Sequence, residues 1–221
     1  EVASITGTDA SKIKVTPSEI GGGFGGKIPV YLEPAALQLS RKAGRPVKMV
    51  MSREEVFRGT GPTSGSRMHA KIGAKADGTI VAGQIRLEFE AGAFRGSPVG
   101  AACMTAFAPY KIPNFEIFGL EVVVNKPRVA AYRAPGAPMA ALMVESLVDE
   151  LARKLERDPI DLRLQNAVEE GDRAPYGPVF GPIGWRPAPH IFTEQEIRDL
   201  LAAARRLEPD LRGATYEALF G

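Results

Sequence analysis

The chain has 221 residues, 44% hydrophobic and 24% charged, with a formal net charge of +2. That length allows one or two domains with a real core, and a near-neutral, interspersed charge gives no bulk reason for binding nucleic acid or a membrane surface. A single cysteine, Cys103, excludes a disulfide framework and any cysteine-held iron–sulfur or zinc site, and His69 and His190 lie far apart with no further ligand at metal-binding spacing.

In chain order, residues 11–20 alternate like a strand, with Ile13 and Val15 on one side. Gly21-Gly22-Gly23-Phe24-Gly25-Gly26-Lys27 follows. Val30 to Lys42 predicts a helix, since Leu32, Ala35, Ala36 and Leu39 fall on one face, Pro34 fits a first turn and Gly44 is a stop. Val47 to Met51 is a short apolar strand, so the local order of strand, glycine loop, helix and strand is an α/β arrangement. Residues 68–91 predict a hairpin turning at Asp77-Gly78, and Phe115 to Val124 a further strand. Met139 to Arg157 predicts a long helix, with Met139, Met143, Leu147, Leu151 and Leu155 recurring every four residues and Val144 and Val148 beside them. Asp158-Pro159 opens a second, short helix through Asn166.

Residues 171–189, rich in Gly and Pro, form a linker. Beyond it Thr193-Glu194-Gln195-Glu196 is a capping box, and Ile197, Leu200, Leu201, Ala204 and Leu207 form the apolar face of a last helix. There is no signal peptide or transmembrane run, and the start at Glu1 and the stop after Ala218-Leu219-Phe220-Gly221 read as cut ends.

The glycine loop admits four readings. As Gly21-x-Gly23-x-x-Gly26 it matches a dinucleotide fingerprint, but the ribose-binding carboxylate expected about 20 residues on is not at the end of the next strand. As Gly21-x4-Gly26-Lys27 it matches most of a P-loop, but Ile28 stands where the metal-binding hydroxyl belongs. A plain turn needs one or two glycines, and the others would only cost backbone entropy. The fourth reading brings bare main-chain N–H groups up to an anionic cofactor, with Phe24 placing one ring beside it.

Ile20–Lys27 resembles the glycine loop of the molybdenum hydroxylases, the family of xanthine dehydrogenase, aldehyde oxidoreductases and the carbon monoxide dehydrogenase large subunit. Gly44-Arg45-Pro46-Val47-Lys48, Ser52-Arg53-Glu54-Glu55, Tyr110-Lys111-Ile112-Pro113-Asn114, Ala131–Pro138, Glu145–Ala152 and Asp158–Arg163 resemble further segments of that family in the same order. The resemblance covers roughly residues 1–184. It implies an α+β (α/β) fold, the first molybdenum-cofactor-binding domain of the large subunit: a mixed sheet with packed helices, here with a C-terminal helical tail. The expected division is a partial molybdopterin-binding domain over 1–184 and a linker and helical tail over 185–221.

The resemblance further implies that Gly22, Gly23, Phe24, Gly25, Gly26 and Arg133 contact the cofactor, a molybdopterin, in the cytosine dinucleotide form. It implies [2Fe–2S] and FAD groups on partner subunits, a small-molecule substrate hydroxylated with water-derived oxygen, and a bacterial, cytoplasmic enzyme. The family's base is a Glu in a "GxGE" context absent from this sequence, so no catalytic residue and no protein ligand to the metal is expected in the chain, and no activity from it alone. Ile28, Ala101 and Pro135 stand where purine-oxidising members have Glu, Arg and an aromatic residue, which disfavours a purine. The stretch Pro189 to Gly221 is similar instead to the start of a tyrosine recombinase catalytic domain, which reads as a fused fragment. A nucleotide-binding α/β module and a recombinase-associated fragment remain the alternatives.

Overall fold

The computed structural model describes residues 1–181. The tail helix, its capping box and the recombinase-like stretch lie outside those residues. Two units are distinguished: Glu1–Val168 with Ala174–Pro178, and Glu169–Arg173 with Val179–Gly221. Of the second, the described part is a short antiparallel bridge between Arg173 and Val179.

The first unit is built on a three-stranded mixed sheet in the order β1-β2-β3. β1 (Ser66–Ala74) and β2 (Ile80–Gly92) form the expected antiparallel hairpin, Met68 facing Leu87 and Ala70 facing Ile85. β3 (Asn114–Val123) then runs parallel to β2. A parallel neighbour cannot be reached by a tight turn, and here the connection carries a short helix, α4 (Val99–Thr105). β2 is the central strand. Its alternate residues Ile85, Leu87 and Phe89 are at most 1% exposed, which is the period-two signature of a sheet with one buried face.

That face is covered by α4 and by α5 (Ala137–Lys154), with α6 (Pro159–Asn166) against α5. The stripe of α5 that is fully buried is Ala140, Val144, Val148 and Ala152; the Met139, Met143, Leu151 and Leu155 row flanks it half-buried. Small side chains on the centre line let helix and sheet approach closely, and the longer ones fill the sides. The helix stops at Lys154 rather than Arg157, because Glu156 takes a left-handed φ of 54°.

The hairpin turn is held from far along the chain. Asn166, 3% exposed, accepts the Ile80 N–H (2.8 Å) and donates to the Gly78 carbonyl (3.0 Å) and the Leu162 carbonyl (2.8 Å). Gln165 and Arg157 donate to the Asp77 carbonyl of the same turn. A second polar knot joins α5, α6 and the approach to β3. The Tyr110 hydroxyl donates to the Glu145 carboxylate (2.8 Å), and Arg163 bridges Glu145 (2.7 Å) and Asp149 (2.8 Å). Burial, and after it the Glu145 carboxylate, push the Tyr110 phenol well above its ordinary range.

The N-terminal third holds only helices and irregular chain: α1 (Val2–Thr6), α2 (Glu33–Ala43) and α3 (Arg53–Gly59). α2 starts three residues later than the sequence suggests, with Pro34 in its first turn, and Gly44 closes it at φ 64°. α3 has a full capping box, Ser52 Oγ accepting the Glu55 N–H while Glu55 accepts the Ser52 N–H. The two strands expected around the glycine loop are not formed. Residues 10–12 make a 3-10 turn capped by Asp9, and the chain then runs irregularly through Pro17, which has no N–H to give a ladder. Val47–Met51 makes no ladder either, so the fold is α+β in sheet and helices, but the α/β order expected locally around the loop is absent.

Candidate functional site

The glycine loop is a chain of left-handed turns. Gly21, Gly22, Phe24 and Gly25 all have positive φ (48°, 124°, 49° and 96°). Three of these cost little because the residue is glycine, whereas Phe24 holds its conformation under strain. Two turn bonds close the loop, from the Gly26 N–H to the Gly23 carbonyl (2.8 Å) and from the Ile28 N–H to the Gly25 carbonyl (3.4 Å). Among the described residues the N–H groups of Gly22, Gly23, Phe24 and Gly25 have no partner. Four successive amides in such a conformation, unspent and at the surface, form an anion-binding concavity.

The loop is braced from three sides. Lys27 folds back so that its Nζ donates to the Ile20 carbonyl (2.7 Å), tying the loop's exit to its start. The segment Ala131–Arg133 lies against its middle: the Arg133 N–H donates to the Phe24 carbonyl (2.8 Å), and a methyl group on Gly25 would come within 2.8 Å of the Ala131 carbonyl. The Tyr31 hydroxyl donates to the Gly26 carbonyl (3.0 Å) and accepts the Gly61 N–H (3.2 Å). Gly61 in turn is pressed on Ala130, whose N–H donates to the neighbouring Pro62 carbonyl (2.9 Å).

These contacts frame an open depression of about 270 Å³ lined by Gly23, Phe24, Gly26, Gly61, Thr63, Ala131 and Tyr132. No acidic side chain lines it, and the Phe24 and Tyr132 rings are 64% and 59% exposed. The Arg133 side chain is exposed and has no ion-pair partner among the described residues.

The six residues expected from the sequence thus come together. Gly22–Gly26 form the loop, and the main chain at Arg133 is bonded to it. Bare amides, an exposed Arg133 on the bracing segment without an ion-pair partner among the described residues, an aromatic ring and a lining without carboxylates suit a negatively charged cofactor, and side chains at Gly25 or Gly61 would fill the contacts that shape the depression. Ile28 is exposed beside the loop, Ala101 is on the exposed side of α4, and Pro135 is exposed between Arg133 and α5. Gly136, next to Pro135, packs directly on Pro98 and Ala102, on either side of Ala101 in sequence. Tyr31 was not anticipated. Its only trace in the sequence is an aromatic residue with a polar tip two positions after Pro29, a weak signal.

Two readings of the loop fail on this geometry. Lys27 is spent on the loop's own backbone, unlike a phosphate-binding P-loop lysine, and no strand leads into the loop, so it is not at the switch point of a parallel sheet. Among the described residues no group of His, Cys, Asp or Glu could hold a metal ion, and no helix is long and apolar enough to cross a membrane.

Residues 1–167 match the family model of the molybdopterin cofactor-binding domain. The nicotinate dehydrogenase large molybdopterin subunit of Eubacterium barkeri is 33% identical over 182 residues, 81% of this chain and 43% of that one. A probable xanthine dehydrogenase subunit of Bacillus subtilis is 30% identical over 86% of this chain and 25% of its own length. The chain therefore spans less than half the length of these relatives. Among solved structures, the aldehyde oxidoreductase of Desulfovibrio gigas superposes with a TM-score of 0.73 at 29% identity, covering 89% of this chain and 21% of that one. With fold, glycine loop and family model in agreement, the chain belongs to the molybdopterin cofactor-binding family of the molybdenum hydroxylases.

Proposed function

We propose that this chain supplies the cofactor-cradling part of a molybdenum-dependent hydroxylase or dehydrogenase. The observation that carries the reading is the run of N–H groups from Gly22 to Gly25, unpartnered among the described residues and held in place by Ala131–Arg133. In this reading Gly22, Gly23, Gly25 and Gly26 let the main chain approach the cofactor without a Cβ in the way. Phe24 shields one side of it, and Arg133 answers its negative charge. The cofactor is molybdopterin in its cytosine dinucleotide form, and when bound it supplies the two-electron oxidation of substrate; the protein positions it and excludes competing reactions.

The substrate is a small aldehyde, aromatic or N-heterocyclic compound rather than a purine, since Ile28, Ala101 and Pro135 offer neither charge nor an aromatic ring. A nicotinate dehydrogenase among the relatives supports an N-heterocycle. Electrons pass to [2Fe–2S] and FAD groups on partner subunits, in keeping with the lone Cys103 here, and the enzyme works in the cytoplasm. The cofactor-binding domain is assigned to residues 1–184; residues 182–221 lie outside the described ones. The base that starts the reaction lies outside this sequence, so the chain alone does not turn over.

The test is to express the complete gene product in a bacterial host that makes molybdopterin and to assay the purified protein for molybdenum, for oxidised pterin fluorescence and for CMP released by acid. Stoichiometric metal, pterin and CMP are expected, with all three lost together in Gly25→Val and reduced in Arg133→Ala. A folded protein with none of the three overturns the reading.

A further inference from the structure

We propose that Val47–Met51 is a docking edge for one more β-strand: an extended polypeptide segment with alternating aliphatic side chains, which pairs with this stretch through its main chain. The sequence of these five residues is that of a strand, apolar except for Lys48 and with β-branched Val47 and Val50. Their side chains alternate as a strand's do, with Val47, Met49 and Met51 half-buried and Lys48 and Val50 exposed. Yet among the described residues none of their N–H or C=O groups has a hydrogen-bond partner. Five residues with strand patterning and an unused ladder are a template for another chain.

The surface beside them says what kind of chain fits. An open depression of about 350 Å³ is lined by Leu32, Met49, Val50 and Met51, with Glu55 and Arg58 beside them. Val50 is 74% exposed. Both charged groups are already engaged, Glu55 by the Ser52 N–H (2.7 Å) and Arg58 by Glu54 (2.9 Å). The depression therefore offers mainly methyl and thioether groups to an incoming side chain, with Glu55 and Arg58 the charged groups of its lining. An aliphatic strand satisfies main chain and depression together; an acidic or basic segment could pair through its main chain but would leave the apolar lining unfilled.

The three strands of the sheet do not supply it, since each is already paired within β1-β2-β3 and none reaches this segment. The relatives indicate the source. More than half of the Eubacterium barkeri subunit and three quarters of the Bacillus subtilis one lie outside the region this chain spans. The strand is assigned to that remainder of the subunit rather than to a second copy of this chain. The proposal stands apart from the cofactor reading and survives its failure.

Amide hydrogen exchange followed by mass spectrometry on the 221-residue chain tests it. The probes are overlapping synthetic peptides of about ten residues, two typical strand lengths, covering the part of the Eubacterium barkeri subunit outside the match. Fast exchange at residues 48–51 is expected in the chain alone. One peptide slows it about ten-fold or more, as pairing would, without altering exchange in β1-β2-β3. Val50→Pro removes an N–H that the chain leaves unused, so its Tm stays at the parent value while the peptide's protection is lost. Val50→Glu, which leaves the backbone intact, weakens the same protection by charging the depression. Slow exchange at 48–51 without any peptide overturns the proposal. So does protection by no peptide, or protection that instead grows with protein concentration, which assigns the edge to a second copy.

Discussion

Gly25 combines a φ of 96° with a methyl-sized gap closed by the Ala131 carbonyl. Gly25→Ala is therefore expected to lose about 1–3 kcal/mol through strain at that one residue, read as a lower urea midpoint with an unchanged m-value. Tyr31→Phe removes two hydrogen bonds of a bridge between loop and Gly61, each worth about 1 kcal/mol; exchange at the Gly61 amide should accelerate while the β2 amides stay protected. If Gly61 exchange is unchanged, the hydroxyl is not the tie. Tyr110 gives a pH prediction. Its folded-state pKa is raised, so the stability it confers is complete below the unfolded value of about 10 and is lost as pH climbs through the folded value. Thermal melts should fall steeply at alkaline pH for the parent and less for Tyr110→Phe. The glycine loop of the candidate site was legible because glycines in such density leave a pattern, whereas Arg133 was singled out only by the family resemblance of its Ala131–Pro138 segment. Tyr31 was not, because a single hydroxyl bridging two backbone atoms leaves no periodicity.

Elements whose order is local were readable. The hairpin announced itself by Asp77-Gly78, α2 by its spacing and Gly44, and α5 by its four-residue recurrence, although the buried line proved to be the smaller residues one position along. The expected strands at 11–20 and 47–51 were misread for one physical reason. Patterning gives a segment's preference, but a strand exists only when another strand pairs with it, and that is decided elsewhere in the chain. The parallel partnership of β2 with β3 was equally invisible, since nothing local distinguishes it from antiparallel pairing. At this scale Asn166 is the test of how helix and sheet are joined. Asn166→Ala strands the Ile80 N–H and the Gly78 carbonyl in the interior, and a loss of about 2–4 kcal/mol is expected in chemical denaturation. A loss below about 0.5 kcal/mol, the range of a surface change, would mean that these bonds contribute nothing net.

For the whole molecule, apolar surface is distributed unevenly. The buried cluster is gathered around β2, α4 and α5, while Ile5, Val15, Ile28, Val50, Phe57 and Phe94 stand exposed elsewhere. Large exposed apolar groups in such number mark surfaces made for contact. The chain on its own should bind the dye ANS in its native state. Silence of the dye with the chain alone would show that these groups are covered by its own residues.

The hairpin turn has a consequence in time rather than in space. Its tip is local, but the carbonyl of Gly78 waits for an amide 88 residues downstream. A nascent chain emerging from the ribosome can bend at Asp77-Gly78 at once, yet it cannot fasten that bend until Asn166 has been translated. Closing so long a loop is slow. Fastening of the hairpin is thereby timed to the translation of Asn166, after the whole of the glycine loop and Arg133 have been made.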